Sequence, residues 1–118
     1  LLQQLHHPNI ITLVGTCIDP IALLTEFCHR GNLFVVLNET NKYPELAWER
    51  KLSFALGLAE GMHYLHTRDP ILIHRDLKSL NVLINRDWRV KVTDFGLSRF
   101  KPHSLSDIMT MQCGTYHW

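Results

Sequence analysis

Val82-Leu83-Ile84 and Val90-Lys91-Val92 stand on either side of Asn85-Arg86-Asp87, and no other stretch of this chain constrains its folding more tightly. Two short β-rich runs split by a polar triplet predict a hairpin, because Asn and Asp accept turn geometry while the flanking runs pair. Pairing also fixes what lies at the ends of the runs. Asp76 and Asn81 come just before the first run and Asp94 just after the second, so the hairpin carries all three to one end of a small sheet. At 118 residues the chain fits one domain, able to bury roughly two-thirds of its unfolded surface.

The rest of the chain reads as a mixture of helix and strand. Leu1-Leu2-Gln3-Gln4-Leu5 looks like the last turns of a helix stopped by His7-Pro8-Asn9, since the residue before a proline avoids helical geometry. Residues 10–17 and 21–27 are β-branched or apolar runs around Asp19-Pro20, which predicts a strand pair with a turn. His29-Arg30-Gly31-Asn32 breaks that pattern, and a short helix begins at 33–37. The clearest helix spans 48–67, with Trp48, Leu52, Ala55, Ala59 and Met62 on one face and Phe54, Leu58 and Leu65 on another. A helix apolar on more than one side is expected to be buried, and Gly57 and Gly61 would admit close neighbours. Asp69-Pro70 ends it, and from Phe100 onward the fading periodicity predicts a long loop.

Composition narrows the class. Hydrophobic content of 46% and charged content of 19% belong to a globular chain. A formal charge of +1 supplies no field for nucleic acid or an anionic membrane, and Arg86 and Arg89 read as solvated strand ends. Three cysteines (Cys17, Cys28, Cys113) without paired spacing fit a reduced, cytoplasmic setting better than a disulfide framework. No apolar run is long enough to span a bilayer. The chain opens on Leu-Leu-Gln, and its true N-terminus is expected upstream.

Asp76, Asn81 and Asp94 are the set that suggests chemistry. Carboxylate and amide oxygens are ligands that Mg²⁺ accepts beside phosphate oxygens and water, while a further carboxylate could accept a proton. Lys78 adds a positive charge where phosphate charge must be neutralised. Turn-forming and capping roles explain any one of these residues but not the set. The eight histidines raise a metal-site alternative, with His63 and His66 three apart on a helix. No cysteine or carboxylate joins that pair at ligand spacing, so packing or surface histidines are the simpler reading.

At these residues the chain resembles a eukaryotic protein kinase. His74-Arg75-Asp76-Leu77-Lys78-Ser79-Leu80-Asn81 matches the catalytic-loop pattern and Asp94-Phe95-Gly96 the metal-binding one, at the family interval. The resemblance implies an α+β, protein-kinase-like fold in truncated form. Residues 1–25 would be an N-lobe remnant, 26–32 the hinge, 33–93 the first part of the C-lobe, and 94–118 the activation segment. It implies ATP and Mg²⁺ as cofactors and a protein substrate as partner. Asp76 would accept the substrate hydroxyl proton, Lys78 would stabilise the transferring phosphoryl group, and Asn81 and Asp94 would hold Mg²⁺. Thr25 would be the gatekeeper, with backbone groups of Glu26 and Cys28 on the adenine edge, Leu83 beneath the ring, and Asn32, ahead of Val35, as the ribose contact. Leu2, Leu13, His74 and Phe95 would stack as a regulatory spine, although each apolar member is also ordinary core. Arg75 would pair with a phosphate on the activation segment, where Ser104, Ser106 and Thr110 are candidates, while Thr115 would touch Asp76 and Lys78. For Cys28 an inert thiol is the simpler expectation. Lys78 points to serine/threonine specificity, and Gly114-Thr115-Tyr116-His117-Trp118 with the Trp48 helix resembles the tyrosine-kinase-like group of mixed-lineage and Raf-like kinases.

Some family features are not found. The glycine-rich phosphate loop, the third-strand lysine and the regulatory-helix glutamate would fall before His7, and the Ala-Pro-Glu motif after Trp118. The expected protein is therefore a portion of a serine/threonine kinase, with negligible transfer by the short chain and marginal stability from an open strand edge. A non-catalytic, pseudokinase-type interaction module is the alternative, and an unrelated metal-binding protein a third. Leu80, bulky within the catalytic loop, is a lesser departure.

Overall fold

The computed structural model describes residues 2–39, 42–43, 46–95 and 98–101 of the chain. At its centre is the expected hairpin. Strand β4 (Val82–Ile84) pairs antiparallel with β5 (Val90–Val92), Val82 facing Val92 and Ile84 facing Val90. Asn85 builds the turn, its Oδ1 accepting the Asp87 and Arg89 N–H groups at 3.0 and 2.8 Å. Val82, Ile84, Val90 and Val92 are all but fully buried, each contributing roughly 1.5–3 kcal/mol of apolar burial.

Both edges of the hairpin are closed by irregular chain. On the β5 side, Ile11 N–H donates to Val92 O at 2.9 Å and Val92 N–H to Asn9 O at 2.8 Å, with Ile10 bridging Val92 in parallel. On the β4 side, Arg30 N–H donates to Ile84 O at 3.1 Å, Ile84 N–H to Gly31 O at 2.8 Å, and Asn32 bridges Leu83. The hairpin is thus the middle of a wider ribbon. Ile10 and Ile11 therefore belong to the core beside β5 and not to the strand predicted over 10–17.

That strand is shorter, β1 (Leu13–Cys17), and pairs antiparallel with β2 (Ala22–Thr25), with an irregularity between Leu13 and Gly15. The predicted run 21–27 is strand only over Ala22–Thr25, and its last two residues lie outside it. The ribbon leaves Val14, Ile18, Ile21, Leu23 and Leu24 exposed. The opening helix is reduced to a single 3-10 turn, Leu2–Gln4. Helix α1 (Leu33–Asn38) starts where expected, because Asn32 Oδ1 accepts Val35 N–H at 2.9 Å and caps it.

Helix α2 (Trp48–His66) has the expected span but buries one face only. Phe54, Gly57, Gly61 and Leu65 are buried, whereas Trp48 is 67% and Leu52 51% exposed. Of the two apolar faces, the one carrying Phe54 and Leu65 packs inward, and of the Trp48 face only Met62 packs partly against the core. The glycines explain the choice. A Cβ on Gly57 would stand 2.6 Å from Asn9 Nδ2 and 2.8 Å from Val90 Cγ2, so helix and hairpin touch through bare backbone. Asn9 fills the seam, buried, with Nδ2 donating to Val90 O at 3.1 Å.

Two further strands complete the described chain. Ile71–Ile73 (β3), unmarked in the sequence reading, pairs antiparallel with Arg99–Lys101 (β6). Phe100 and Lys101 are therefore strand, not the start of the predicted loop. No helix among the described residues is long and apolar enough to cross a membrane.

Candidate active site

The hairpin delivers its polar residues as expected. A 3-10 turn, Ser79–Asn81, leads into β4 and buries Asn81 at the sheet's end. Thr93, directly after β5, donates its N–H to Asn81 O at 3.0 Å, which sets Asp94 one residue from that bond. The loop then closes on itself. Asn81 Nδ2 donates to Asp76 O at 2.9 Å and to Asp76 Oδ2 at 3.1 Å. Lys78 Nζ lies 3.0 Å from the same Oδ2, with the two side chains only 20% and 10% exposed. Charge-assisted bonds shielded from water hold one carboxylate oxygen, and so fix the orientation of the Asp76 carboxylate.

His74, buried, fastens this loop to Asp94. Its Nε2 sits 2.8 Å from Thr93 O and its Nδ1 accepts Asp76 N–H at 3.3 Å. A carbonyl at one nitrogen and an N–H at the other place the ring proton on Nε2. The ring tilts against buried Phe95 at 5.2 Å between centroids, and Ser98 Oγ donates to His74 O at 3.2 Å. Arg75 and Asp94 flank this contact with φ of +70° and +62°. Such left-handed backbone in non-glycine residues costs on the order of 1 kcal/mol or more and clusters at functional sites.

Thr25 closes β2 opposite Leu13. Glu26 donates its N–H to Thr12 O at 3.0 Å, and its Oε1 accepts from Thr12 N and Oγ1 at 2.9 and 2.7 Å. Lys91 Nζ lies 2.7 Å from the same Oε1, its own side chain 9% exposed. Burial alone would raise the Glu26 carboxyl, but the bonds from Lys91 and Thr12 and the lysine charge outweigh it and hold the pKa below the usual value. A depressed carboxylate stabilises the fold fully above its unfolded pKa, near 4.5, and that stability is lost as pH falls through the folded value. Below about pH 4.5 the chain should therefore lose stability more steeply than its Glu26→Gln variant, in melting curves taken across pH. Near neutral pH, Glu26→Ala should be several-fold more damaging than Lys91→Met, because only the former leaves a buried charge without its partner. Equal losses would refute the pairing.

Cys28 is buried, and burial followed by the Glu26 charge raises its thiol pKa, the setting of an inert cysteine. Leu83 lies half-buried across from Asn32. Since Asn32 Oδ1 caps α1, a ribose contact there would use its amide nitrogen. His63 and His66 are exposed on α2. Thr110, Thr115, Ser104 and Ser106 lie outside the described residues, as does the side chain of Leu2.

Lys91, Thr12 and Asn9 were not singled out from the sequence. The signal for Lys91 was a charge inside an apolar strand, which must find a partner when buried. Nothing local pointed to Glu26 as that partner. Asn81 and Asp94 are hard oxygen donors at one sheet end, too few to cage a cation unaided but suited to Mg²⁺ that keeps water and phosphate ligands.

Comparison with known proteins agrees with this geometry. The family model of protein tyrosine and serine/threonine kinases matches residues 1–117, and the chain belongs to the protein kinase family. A Dictyostelium discoideum protein named as a serine/threonine-protein kinase is 44% identical over 100% of the chain, which spans 12% of that relative. The serine/threonine-protein kinase CTR1 of Arabidopsis thaliana is 39% identical over 100% of the chain and 14% of the relative. An Acanthamoeba polyphaga mimivirus protein named as a serine/threonine-protein kinase/receptor is 43% identical over 99% of the chain and 7% of the relative. The likeness to the tyrosine-kinase-like group accords with a family model covering both specificities and with relatives named for serine and threonine. The chain spans 7% to 18% of the length of these curated relatives.

Proposed function

We propose that the chain carries the catalytic loop and hinge of a serine/threonine kinase domain, which moves the γ-phosphoryl group of ATP to a protein hydroxyl. The observation that carries this reading is the Asp76 carboxylate, held at Oδ2 by Asn81 and Lys78 and tied through His74 to the turn at Asp94. A fixed carboxylate can take the proton of a serine or threonine hydroxyl as its oxygen attacks phosphorus. Lys78 would share its charge with the phosphoryl oxygens. Asn81 and Asp94 would hold Mg²⁺, which neutralises phosphate charge when bound. At the hinge, the Glu26 N–H and Cys28 carbonyl are already bonded to Thr12 and Gly31, so a purine edge would meet the Glu26 carbonyl and the Cys28 N–H. A cytoplasmic location, supplying ATP, Mg²⁺ and reducing conditions together, belongs to the same reading and is open to cell fractionation.

The test uses the full native polypeptide containing this chain, with γ-labelled ATP, Mg²⁺ and a mixed protein acceptor. Label on serine and threonine, lost when the divalent ion is chelated, is the expected result. Label on tyrosine alone would overturn the specificity, and nucleotide binding without any transfer would favour the non-catalytic module.

A further inference from the structure

The turn between β4 and β5 does more than reverse the chain. Trp88 there adopts φ +62°, a conformation that bulky side chains rarely take. The result is an indole set beneath the Arg30 guanidinium, 3.8 Å from its carbon, with Arg50 of α2 at 5.1 Å. Tyr43 meets the indole edge-on at 5.5 Å and Phe54 stacks at 6.2 Å, so the ring is braced on its far sides. Arg30 is held at both ends. Its Nη2 donates to Arg86 O at 3.0 Å, its backbone N–H donates to Ile84 O, and its Nε is buried with no hydrogen-bond partner among the described residues. Stacking on the indole is what that guanidinium has in place of a full set of bonds.

Arg30 lies in the hinge, and the two hinge bonds to β4 both fall on Ile84, the residue next to Leu83, while Asn32 bridges Leu83 itself. We propose that Trp88 is a positioning residue for the nucleotide site: by clasping Arg30 it fixes the spacing between the hinge strand and Leu83, the floor on which a purine would rest. This rests on the hinge and Leu83 forming that site, as proposed above. Trp88 would act on that site through its contact with Arg30. A strained backbone is retained at the turn because relaxing it would turn the indole away from Arg30 and let the hinge drift from β4.

The test compares Arg30→Met, Trp88→Phe and Trp88→Gly with the native full-length protein. Trp88→Gly relieves the left-handed strain while removing the clasp, and Trp88→Phe keeps an aromatic face. Hydrogen exchange at the Arg30 and Ile84 amides should quicken about tenfold in Arg30→Met and Trp88→Gly and less in Trp88→Phe, with the Ile11 and Val92 amides unchanged. Uniform quickening at all four amides, or none, would overturn the clasp. Mg·ATP affinity, measured by calorimetry, should fall several-fold in the same order. Should the native protein bind no nucleotide, the reading of the site fails while the exchange data still decide the clasp. Normal affinity alongside a loosened hinge would overturn the positioning role.

Discussion

Asp76→Asn is expected to lower phosphoryl transfer by the polypeptide containing this chain about 10²–10⁴-fold, the usual contribution of a positioned general base. The substitution is nearly isosteric. Asn81 can still donate to the side chain at position 76, so the loop 76–81 should keep its shape. What disappears is the basic oxygen and the charge that holds Lys78 at 3.0 Å. Lys78→Met should reduce transfer less, since on the proposed reading it would remove a charge that stabilises the phosphoryl group and leave the Asp76 carboxylate in place. Unchanged nucleotide affinity and circular dichroism would separate lost chemistry from lost fold. Transfer by Asp76→Asn within about threefold of native would contradict the assignment of Asp76.

Gly57→Ala is the second large effect. By helix propensity alone, alanine at a helix interior stabilises by about 1 kcal/mol over glycine. Here the added methyl would stand 2.6 Å from Asn9 Nδ2 and 2.8 Å from Val90 Cγ2. The Asn9 side chain could yield only by giving up its bond to Val90 O, leaving a buried amide unsatisfied. Overpacking costs about 1–3 kcal/mol and the orphaned amide a similar amount, so the two together should outweigh the propensity gain and leave a net destabilisation of roughly 1–5 kcal/mol. At Gly61 the same methyl meets Asn9 at 3.1–3.2 Å, a milder contact, and Gly61→Ala should cost clearly less. The urea midpoint of the helical signal measures both. A higher midpoint for Gly57→Ala would mean that α2 does not lie against the hairpin as described.

The candidate site was largely legible because its determinants are local. A polar triplet between two short apolar runs favours a hairpin by local rules, and that pairing brings Asn81 and Asp94 to one end, with Asp76 held there by Asn81. The Asn32 cap follows from the same kind of short-range rule. Helix α2 was legible in span but not in orientation, since both of its faces are apolar and hydrophobicity could not choose between them. Residues 10–11 were misassigned to a strand for a related reason. β-Propensity registers that Ile10 and Ile11 are extended, but not that they lie beside Val92.

The sequence by itself determined the family, the hairpin and the polar set at its end, all written in residues close together along the chain. Tertiary structure alone decided the rest. It chose the inward face of α2 through Gly57 and Asn9, gave the buried Lys91 its partner in Glu26, and set Arg30 over Trp88. Each is a contact between distant segments. Its free energy depends on close packing and exclusion of water, which come into being only when the chain has folded.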